Sequence, residues 1–225
     1  MCGRFSLTQR LDVLERVFKA KARVHAEQKA RYNIAPTQPV LAICQDDPNS
    51  IVELDWGIAI YPNDEPPRIL VNAKAESLQQ RPAYSQAFAG RRCLILADGF
   101  FEWESRAGRR YPHYYRLQNN EPFAFAGVYD QEGDQRHCVI ITTDSNALVA
   151  PVHDRMPVIL EDPQAWLKEN DPGELQAMLQ PIASSEMETY TVNPIVNTAD
   201  VDEPKCIEPY EPKEMSLFGD RERKK

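Results

Sequence analysis

The sequence predicts an α+β fold that is mainly β. The main observation is a series of segments rich in β-branched and aromatic residues, each bounded by glycine, proline, asparagine or aspartate, as is typical of strands. Helical periodicity is confined to short stretches, and strands and helices do not alternate as they do in parallel βαβ folds. With 225 residues, of which 42% are hydrophobic, the chain is long enough to bury one sizeable core.

Helical patterns occur in three stretches. They are 8–19, 77–89 and 162–180, the last in two pieces broken at Asp171-Pro172-Gly173. In the first stretch Leu11, Leu14 and Phe18 form an apolar stripe at helical spacing, and Thr8 is placed to cap the N-terminus. The polar, basic residues 19–38 that follow are predicted to be a solvated connection leading into a loop.

Seven segments are predicted to be strands. They are residues 39–44, 51–58, 92–103, 109–117, 123–130, 137–143 and 156–160. The third and fourth are separated by a short polar sequence around Gly108, which predicts a tight hairpin turn.

One domain is predicted over residues 1–207, followed by a charged, flexible tail over 208–225. The chain becomes rich in proline and charge after Asn197, and we expect it to fray from there. No apolar run approaches the ~20 residues of a membrane helix, and the N-terminus lacks the layout of a signal peptide. We therefore expect a cytoplasmic monomer with no membrane association.

The five cysteines do not indicate a disulfide framework or a zinc site, because they are odd in number, widely spaced and form no CxxC pair. Cys44, Cys93 and Cys138 lie in apolar runs and are predicted to be inert core thiols. We expect no metal and no organic cofactor.

The net charge of −8 is unevenly distributed. Residues 1–160 carry 19 basic and 19 acidic side chains, whereas 161–225 carry 7 and 15. A local basic groove in the first 160 residues is compatible with this balance, so the charge neither indicates nor excludes binding to nucleic acid.

Cys2 directly follows the initiator methionine, in the sequence "MCGRF". Removal of Met1 would give Cys2 a free α-amine beside its thiol, a 1,2-aminothiol. An unperturbed α-amine has a pKa of about 7.7–8.0, so part of it is neutral and nucleophilic at pH 7. Such an amine adds to an aldehyde and forms an imine, and the adjacent thiol then closes a five-membered thiazolidine ring. A buried thiol that merely packs in a core is the simpler alternative for Cys2 taken alone.

Four polar residues interrupt apolar strands or their ends: Asn72, Glu102, Thr142 and His153. Each has an ordinary structural explanation, such as a turn, a solvated carboxylate or a satisfied core histidine. Together with Cys2 they supply what an aldehyde-capturing site needs, since Glu102 or His153 can move protons while water is expelled from the imine-forming intermediate.

The chain resembles the SRAP family, the SOS-response-associated peptidase-like proteins that crosslink themselves to abasic sites in single-stranded DNA. The motifs "MCGRF", "RYNIAPTQPV", "NAKAES", "ADGFFEW" and "HDRMPVIL" follow the order and approximate spacing of that family over residues 1–160. The resemblance implies a curved, barrel-like mixed sheet with short flanking helices. It also implies a covalent role in shielding abasic sites during repair of DNA damage, with single-stranded DNA as the partner.

The resemblance also implies roles for individual residues. Cys2 is the covalent residue, Asn72 holds the N-terminus, Glu102 assists proton transfer and His153 acts on the sugar oxygen. The implied DNA contacts are Arg4, Lys74, Thr142 and Arg155 on the backbone, and Pro36 and Trp103 on the neighbouring bases.

Two features depart from the family pattern. Lys74 stands where many members carry arginine, which replaces a planar bidentate donor with a point charge. The paired tryptophans expected before that motif are absent, and Tyr61 is the aromatic residue left for a wedge between bases.

Two other functions remain open at this stage. One is an N-terminal-nucleophile peptidase or amidase in which the Cys2 thiol attacks a carbonyl, its own α-amine acts as the base and Asn72 donates to the oxyanion. In this alternative the removal of Met1 is autoproteolytic, and a lyase activity accompanies it. The other is a passive module that binds single-stranded DNA or a partner and has an inert Cys2.

Overall fold

The computed structural model describes residues 2–24, 29–61 and 66–211. Within them the strands are β1 Phe5–Leu7, β2 Lys21–Ala22, β3 Arg31–Ile34, β4 Pro39–Cys44, β5 Asp47–Trp56, β6 Ile58–Ile60, β7 Arg68–Leu70, β8 Asn72–Lys74, β9 Arg92–Ala97, β10 Gly99–Arg106, β11 Arg109–Leu117, β12 Phe123–Glu132, β13 Gln135–Asp144, β14 Arg155–Pro157 and β15 Met187–Thr191. The α-helices are α1 Leu11–Phe18, α2 Pro82–Gly90, α3 Pro163–Lys168 and α4 Pro172–Ala177, and short 3₁₀ turns cover Ala75–Ser77, Ser184–Glu186, Pro194–Asn197 and Pro204–Cys206.

The larger sheet has the strand order β14-β13-β12-β9-β4-β5-β2, and β8 adds to β13 in parallel. A short parallel pairing between β13 and β5 joins His137 with Asp55 and Cys138 with Trp56. Because this contact brings distant strands of the sheet together, the sheet curls into a ring-like shape that is not closed. The predicted mainly β, curved mixed sheet with few short helices is confirmed.

The smaller sheet has the order β15-β11-β10-β1-β3 and packs against the larger one through aromatic side chains. Phe5 of β1 makes edge contacts with Trp56 and Phe125 of the larger sheet, with ring centroids 5.2 and 5.6 Å apart. Phe100 lies 6.3 Å from Phe125 and stacks on Tyr115 at 5.0 Å. The main core therefore lies between the two sheets, and β1 is part of it from its first residue.

The predicted strand 92–103 divides at Asp98 into β9 of the larger sheet and β10 of the smaller one. The Asp98 carboxylate accepts hydrogen bonds from the hydroxyls of Ser6 (2.6 Å) and Thr8 (2.7 Å). The prediction that Thr8 caps the first helix is wrong, because that helix begins at Leu11 and the Thr8 hydroxyl is bonded to Asp98. These bonds fix β1 at the crossing between the two sheets.

The predicted hairpin turn is confirmed between β10 and β11. Arg106 pairs with Arg109, and the two residues between them, Ala107 and Gly108, have φ values of 50° and 72°. Positive φ at both central positions is the geometry of a type I′ turn, whose twist matches that of the strands it joins. The hairpin thus projects from the sheet that carries Glu102.

The C-terminal helical stretch is broken as predicted, but one position differs. Pro172 and Gly173 begin α4 and do not form the break, because the Asp171 side chain caps the helix by accepting from the backbone N–H groups of Gly173 and Glu174. Proline is favoured at the first helical position because a backbone N–H there would have no partner within the helix, so its absence costs no hydrogen bond.

Two segments predicted to be solvated are partly packed. Within residues 19–38, of which 25–28 lie outside the described residues, the chain forms β2 and β3, and Asn33 of β3 is fully buried, donating to the carbonyls of Thr198 (3.0 Å) and Val201 (2.6 Å). Residues 194–211, here called the C-terminal segment, therefore fold over β3, and the expectation of fraying after Asn197 is wrong as far as residue 211. Most of the predicted tail lies outside the described residues.

Among the described residues, no helix is long and apolar enough to cross a membrane.

Candidate active site

The N-terminal residues lie between the two sheets. The Phe101 N–H of β10 donates to the Arg4 carbonyl (3.0 Å), so the chain stays beside β10 on the N-terminal side of β1 as far as Arg4. From the other side, Asn72 Nδ2 at the start of β8 donates to the carbonyl of Cys2 at 2.8 Å. The backbone of Cys2 is therefore held in place by a side chain of the larger sheet, which is the positioning that the resemblance implied for Asn72.

The Cys2 side chain is fully buried, and its sulfur lies 3.7 Å from the Arg4 carbonyl. Burial, followed by the negative charge of Glu102, raises the pKa of the Cys2 thiol far above its usual range. The sulfur is consequently a neutral thiol at physiological pH. It is poorly suited to act as the first nucleophile, since the thiolate is the reactive form.

Glu102 lies on β10 and is 3% exposed. Burial raises the pKa of its carboxyl to about 7, although the positive charge of Arg110 opposes the shift. A carboxyl group that titrates near neutral pH can donate a proton in one step and accept one in the next, as general acid–base catalysis requires.

His153 precedes β14, and its Nδ1 accepts a hydrogen bond from the Arg155 backbone N–H (2.9 Å). Burial lowers the pKa of the imidazole, which favours the neutral ring with its proton on Nε2. A protonated ring would donate from Nδ1 to Asp154 Oδ1, 3.0 Å away. His153 thus has a distinct partner for each protonation state.

Glu102 and His153 line an open cavity of about 470 Å³. Its full lining is Gly3, Arg4, Pro36, Glu102, Trp103, Arg110, His153 and Asn197. The structure therefore brings together five of the ten predicted site residues at this cavity, from the N-terminus, from β10, and from the loops before β4 and β14, whereas Cys2 and Asn72 do not line it.

Arg4 and Trp103 are both fixed by the C-terminal segment. Arg4 Nη1 donates to Asn33 Oδ1 and to the Val196 carbonyl, both at 2.8 Å, and the indole N–H of Trp103 donates to Asn197 Oδ1 at 2.6 Å. The Arg4 guanidinium is thus largely engaged within the protein. Its predicted contact with a DNA phosphate would add to these bonds or replace some of them.

The other predicted backbone contacts lie outside this cavity. Arg155 is buried, and its guanidinium donates to Glu76 (2.6 and 3.0 Å), to Asp144 (2.7 Å) and to the Thr142 carbonyl. Thr142 is fully buried and its hydroxyl donates to the Ala73 carbonyl, whereas Lys74 pairs with Thr142 across the sheet and is exposed. DNA contact by these three residues stays a prediction.

Three residues of the site were not predicted: Arg110, Asn197 and Asn33. Arg110 had a local signal, because it is one of three arginines at the tip of the β10–β11 hairpin, close in sequence to the aromatic "FFEW" segment. Asn33 and Asn197 had none, since their roles depend on contacts between distant segments. Asn33 bonds to residues more than 160 positions away, and Asn197 accepts from Trp103, 94 positions away.

The described residues contain no group of three or more histidine, cysteine, aspartate or glutamate side chains arranged to hold a metal ion. Cys44, Cys93 and Cys138 are buried free thiols, as predicted.

This arrangement defines a class of protein: a mainly β fold in which Cys2, the candidate reactive residue, is held next to an open cavity lined by a carboxyl group and an imidazole. The family model described as SOS response associated peptidase (SRAP) matches residues 1–199, and the chain belongs to this family.

The chain is similar to named proteins and to a solved structure. The chain is 37% identical over 223 residues to the abasic site processing protein YoqW of Bacillus subtilis, covering 92% of this chain and 99% of that protein. It is 35% identical to YobE, another abasic site processing protein of B. subtilis, covering 89% and 98%. A crystal structure of a protein from Bacteroides thetaiotaomicron has the same fold, with a TM-score of 0.81 at 20% identity over 93% of this chain and 100% of that one.

Proposed function

We propose that this protein captures abasic sites in single-stranded DNA by forming a covalent bond through Cys2, and so shields the lesion during repair. The observation that carries the proposal is the position of Cys2, whose backbone is fixed by Asn72 beside a carboxyl group that titrates near neutral pH. The names of the relatives YoqW and YobE support the substrate class.

The first step needs the α-amine of Cys2, which exists only after Met1 has been removed. The amine nitrogen adds to C1′ of the ring-opened deoxyribose, forming a C–N bond while the aldehyde oxygen becomes a hydroxyl. Glu102 accepts the proton that the nitrogen loses and returns a proton to the departing hydroxyl, so that one water leaves and an imine remains.

The second step makes the bond durable. The Cys2 sulfur adds to the imine carbon, and its proton moves to the nitrogen, closing a thiazolidine without loss or gain of atoms. The buried thiol has its proton available for this transfer, since burial keeps the sulfur in its neutral form. His153, which lines the same cavity as Glu102, is assigned to the sugar oxygen, and Pro36 and Trp103 to the adjacent bases.

Two observations weigh against the peptidase or amidase alternative. One of the two N–H donors of Asn72 Nδ2 is already bonded to the carbonyl of Cys2, so at most one is left to stabilise an oxyanion of another substrate. The raised pKa of the thiol also disfavours the thiolate that nucleophilic attack on an amide requires. No described feature of the site specifically favours binding without chemistry.

The experiment is to mix the protein with a single-stranded oligonucleotide carrying one abasic site, denature the mixture and measure intact masses. We expect a heat-stable species whose mass is that of the protein without Met1 plus the oligonucleotide, less one water. The control strand has its abasic aldehyde reduced to an alcohol, and it should give no adduct. An unreacted mixture, or an adduct on protein that still carries Met1, would contradict the proposal.

A further inference from the structure

The tip of the β10–β11 hairpin carries Arg106, Arg109 and Arg110 within five positions, and all three are exposed. None of them forms an ion pair with any residue in the described ranges 2–24, 29–61 and 66–211. Arg4 and Arg155 differ in this respect, because their guanidinium groups are bonded inside the protein. The cations best placed to meet an external anion near the site are therefore those of the hairpin.

A second groove, of about 390 Å³, lies beside the open cavity lined by Glu102 and His153, which is here called the capture cavity. Its lining includes Arg109, Arg110, Tyr111, Pro194, Asn197 and Tyr210. Arg110 and Asn197 also line the capture cavity, so the two depressions share a wall. The volume falls within the ~300–1,000 Å³ of small-ligand sites. A polymeric ligand with one unit bound beside Glu102 could therefore place the next unit in this second groove.

Two of the three arginines at the hairpin tip, Arg106 and Arg110, are oriented by aromatic rings. The Arg110 guanidinium carbon lies 5.2 Å from the centre of the Trp103 ring, and that of Arg106 lies 4.8 Å from the centre of Tyr111. Stacking on a ring reduces the freedom of a guanidinium group, while the N–H donors at its edge remain directed outward for a phosphate. Tyr111 also lines the groove.

We propose that this second groove binds the nucleotide next to the abasic site, with its base against Tyr111 and its phosphate on Arg109 and Arg110. The ligand class is single-stranded nucleic acid, and in this respect the inference rests on the proposed function. The groove lies on one side of the capture cavity, so it engages the strand on only one flank of the lesion. Alternating arginines and stacking rings are the combination that binds single strands without selecting a sequence.

The test measures equilibrium binding of oligonucleotides in which the abasic aldehyde has been reduced to an alcohol. Such strands cannot form an imine, so the result does not depend on covalent capture. The site is placed at the 5′ end, at the 3′ end or in the middle of the strand. The variants are R109A, R110A, Y111A and Y111F, and R10A serves as the matched control because Arg10 is an exposed arginine on a different surface.

We expect R109A and R110A each to lower the slope of log affinity against log salt by about 0.7, the contribution of one phosphate contact on a single strand. Y111A should weaken binding about tenfold, whereas Y111F should bind like the wild type because it keeps the ring. These losses should appear for only one of the two terminal placements, and R10A should show none of them.

The inference is overturned by an unchanged salt slope in R109A and R110A, or by equal losses for both terminal placements, which would confine these residues to the capture cavity. A wild-type protein that bound no single strand at all would instead contradict the proposed function.

Discussion

Replacing Cys2 with alanine should abolish the heat-stable adduct with an abasic single strand. The alanine variant keeps an N-terminal amine and can form an imine, but it has no thiol to close the ring, so water hydrolyses the product when the sample is heated. Cys2→Ser should give at most a labile imine or a weak oxazolidine. Denaturing gel electrophoresis and intact-mass measurement of the product distinguish these outcomes. A stable adduct in Cys2→Ala would transfer the chemistry to another amine, such as a lysine.

The control for this prediction has to allow for the position of Cys2 in the core. Cys2 is fully buried, so its side chain contributes to the packing of the core. Its truncation should cost about 1 kcal/mol of unfolding free energy, comparable to the deletion of one buried methyl group. Cys138→Ala removes another fully buried free thiol from the core. It should lose similar stability and keep full adduct formation.

Glu102→Gln should slow adduct formation by ~10²–10⁴, the usual contribution of a positioned general acid or base. Glutamine keeps the size and hydrogen-bonding capacity of the side chain but cannot transfer protons. The rate is measured in single-turnover mixing at saturating protein, and affinity is measured separately on a reduced abasic strand. Loss of affinity with a normal rate per bound complex would show that Glu102 is structural.

The stability of the same variant provides a check on the protonation state of Glu102. Because burial raises the pKa of this carboxyl to about 7, the folded protein holds the proton more tightly than the unfolded chain does. The unfolding free energy of the wild type should therefore fall as pH rises from about 4.5 to 7. Glu102→Gln lacks this dependence, so its melting temperature relative to the wild type should be higher at pH 8 than at pH 5. An identical difference at both pH values would contradict the assigned pKa.

Local sequence patterns predicted the parts of the fold that depend on short-range contacts. The hairpin turn at Gly108 follows from the need for positive φ, and the buried thiols follow from the apolar runs that contain them. Cys2, Glu102 and His153 were found because a polar or reactive residue in an apolar or terminal position needs an explanation. Their grouping at one cavity was anticipated only through the resemblance to a family.

Other features could not be read from local pattern because distant segments decide them. Residues 92–103 look like one strand, but Asp98 is drawn into bonds with the N-terminal strand, and the two halves enter different sheets. The burial of Asn33 depends on a C-terminal segment whose composition resembles a disordered tail. Similarly, the resemblance implied a DNA contact for Arg155, and no local pattern indicated that Glu76 and Asp144 pair with its guanidinium inside the protein.

The central claim is that the α-amine of Cys2, and not only its thiol, reacts with the aldehyde. The most direct measurement uses a variant with one glycine retained ahead of Cys2, in which the thiol remains but the cysteine nitrogen is an amide without a basic lone pair. At equal DNA occupancy, intact-mass measurement should show loss of the heat-stable adduct as complete as in Cys2→Ala. A heat-stable abasic adduct formed by the extended protein at the wild-type rate would contradict the account, because the amine of Cys2 would then play no part in capture.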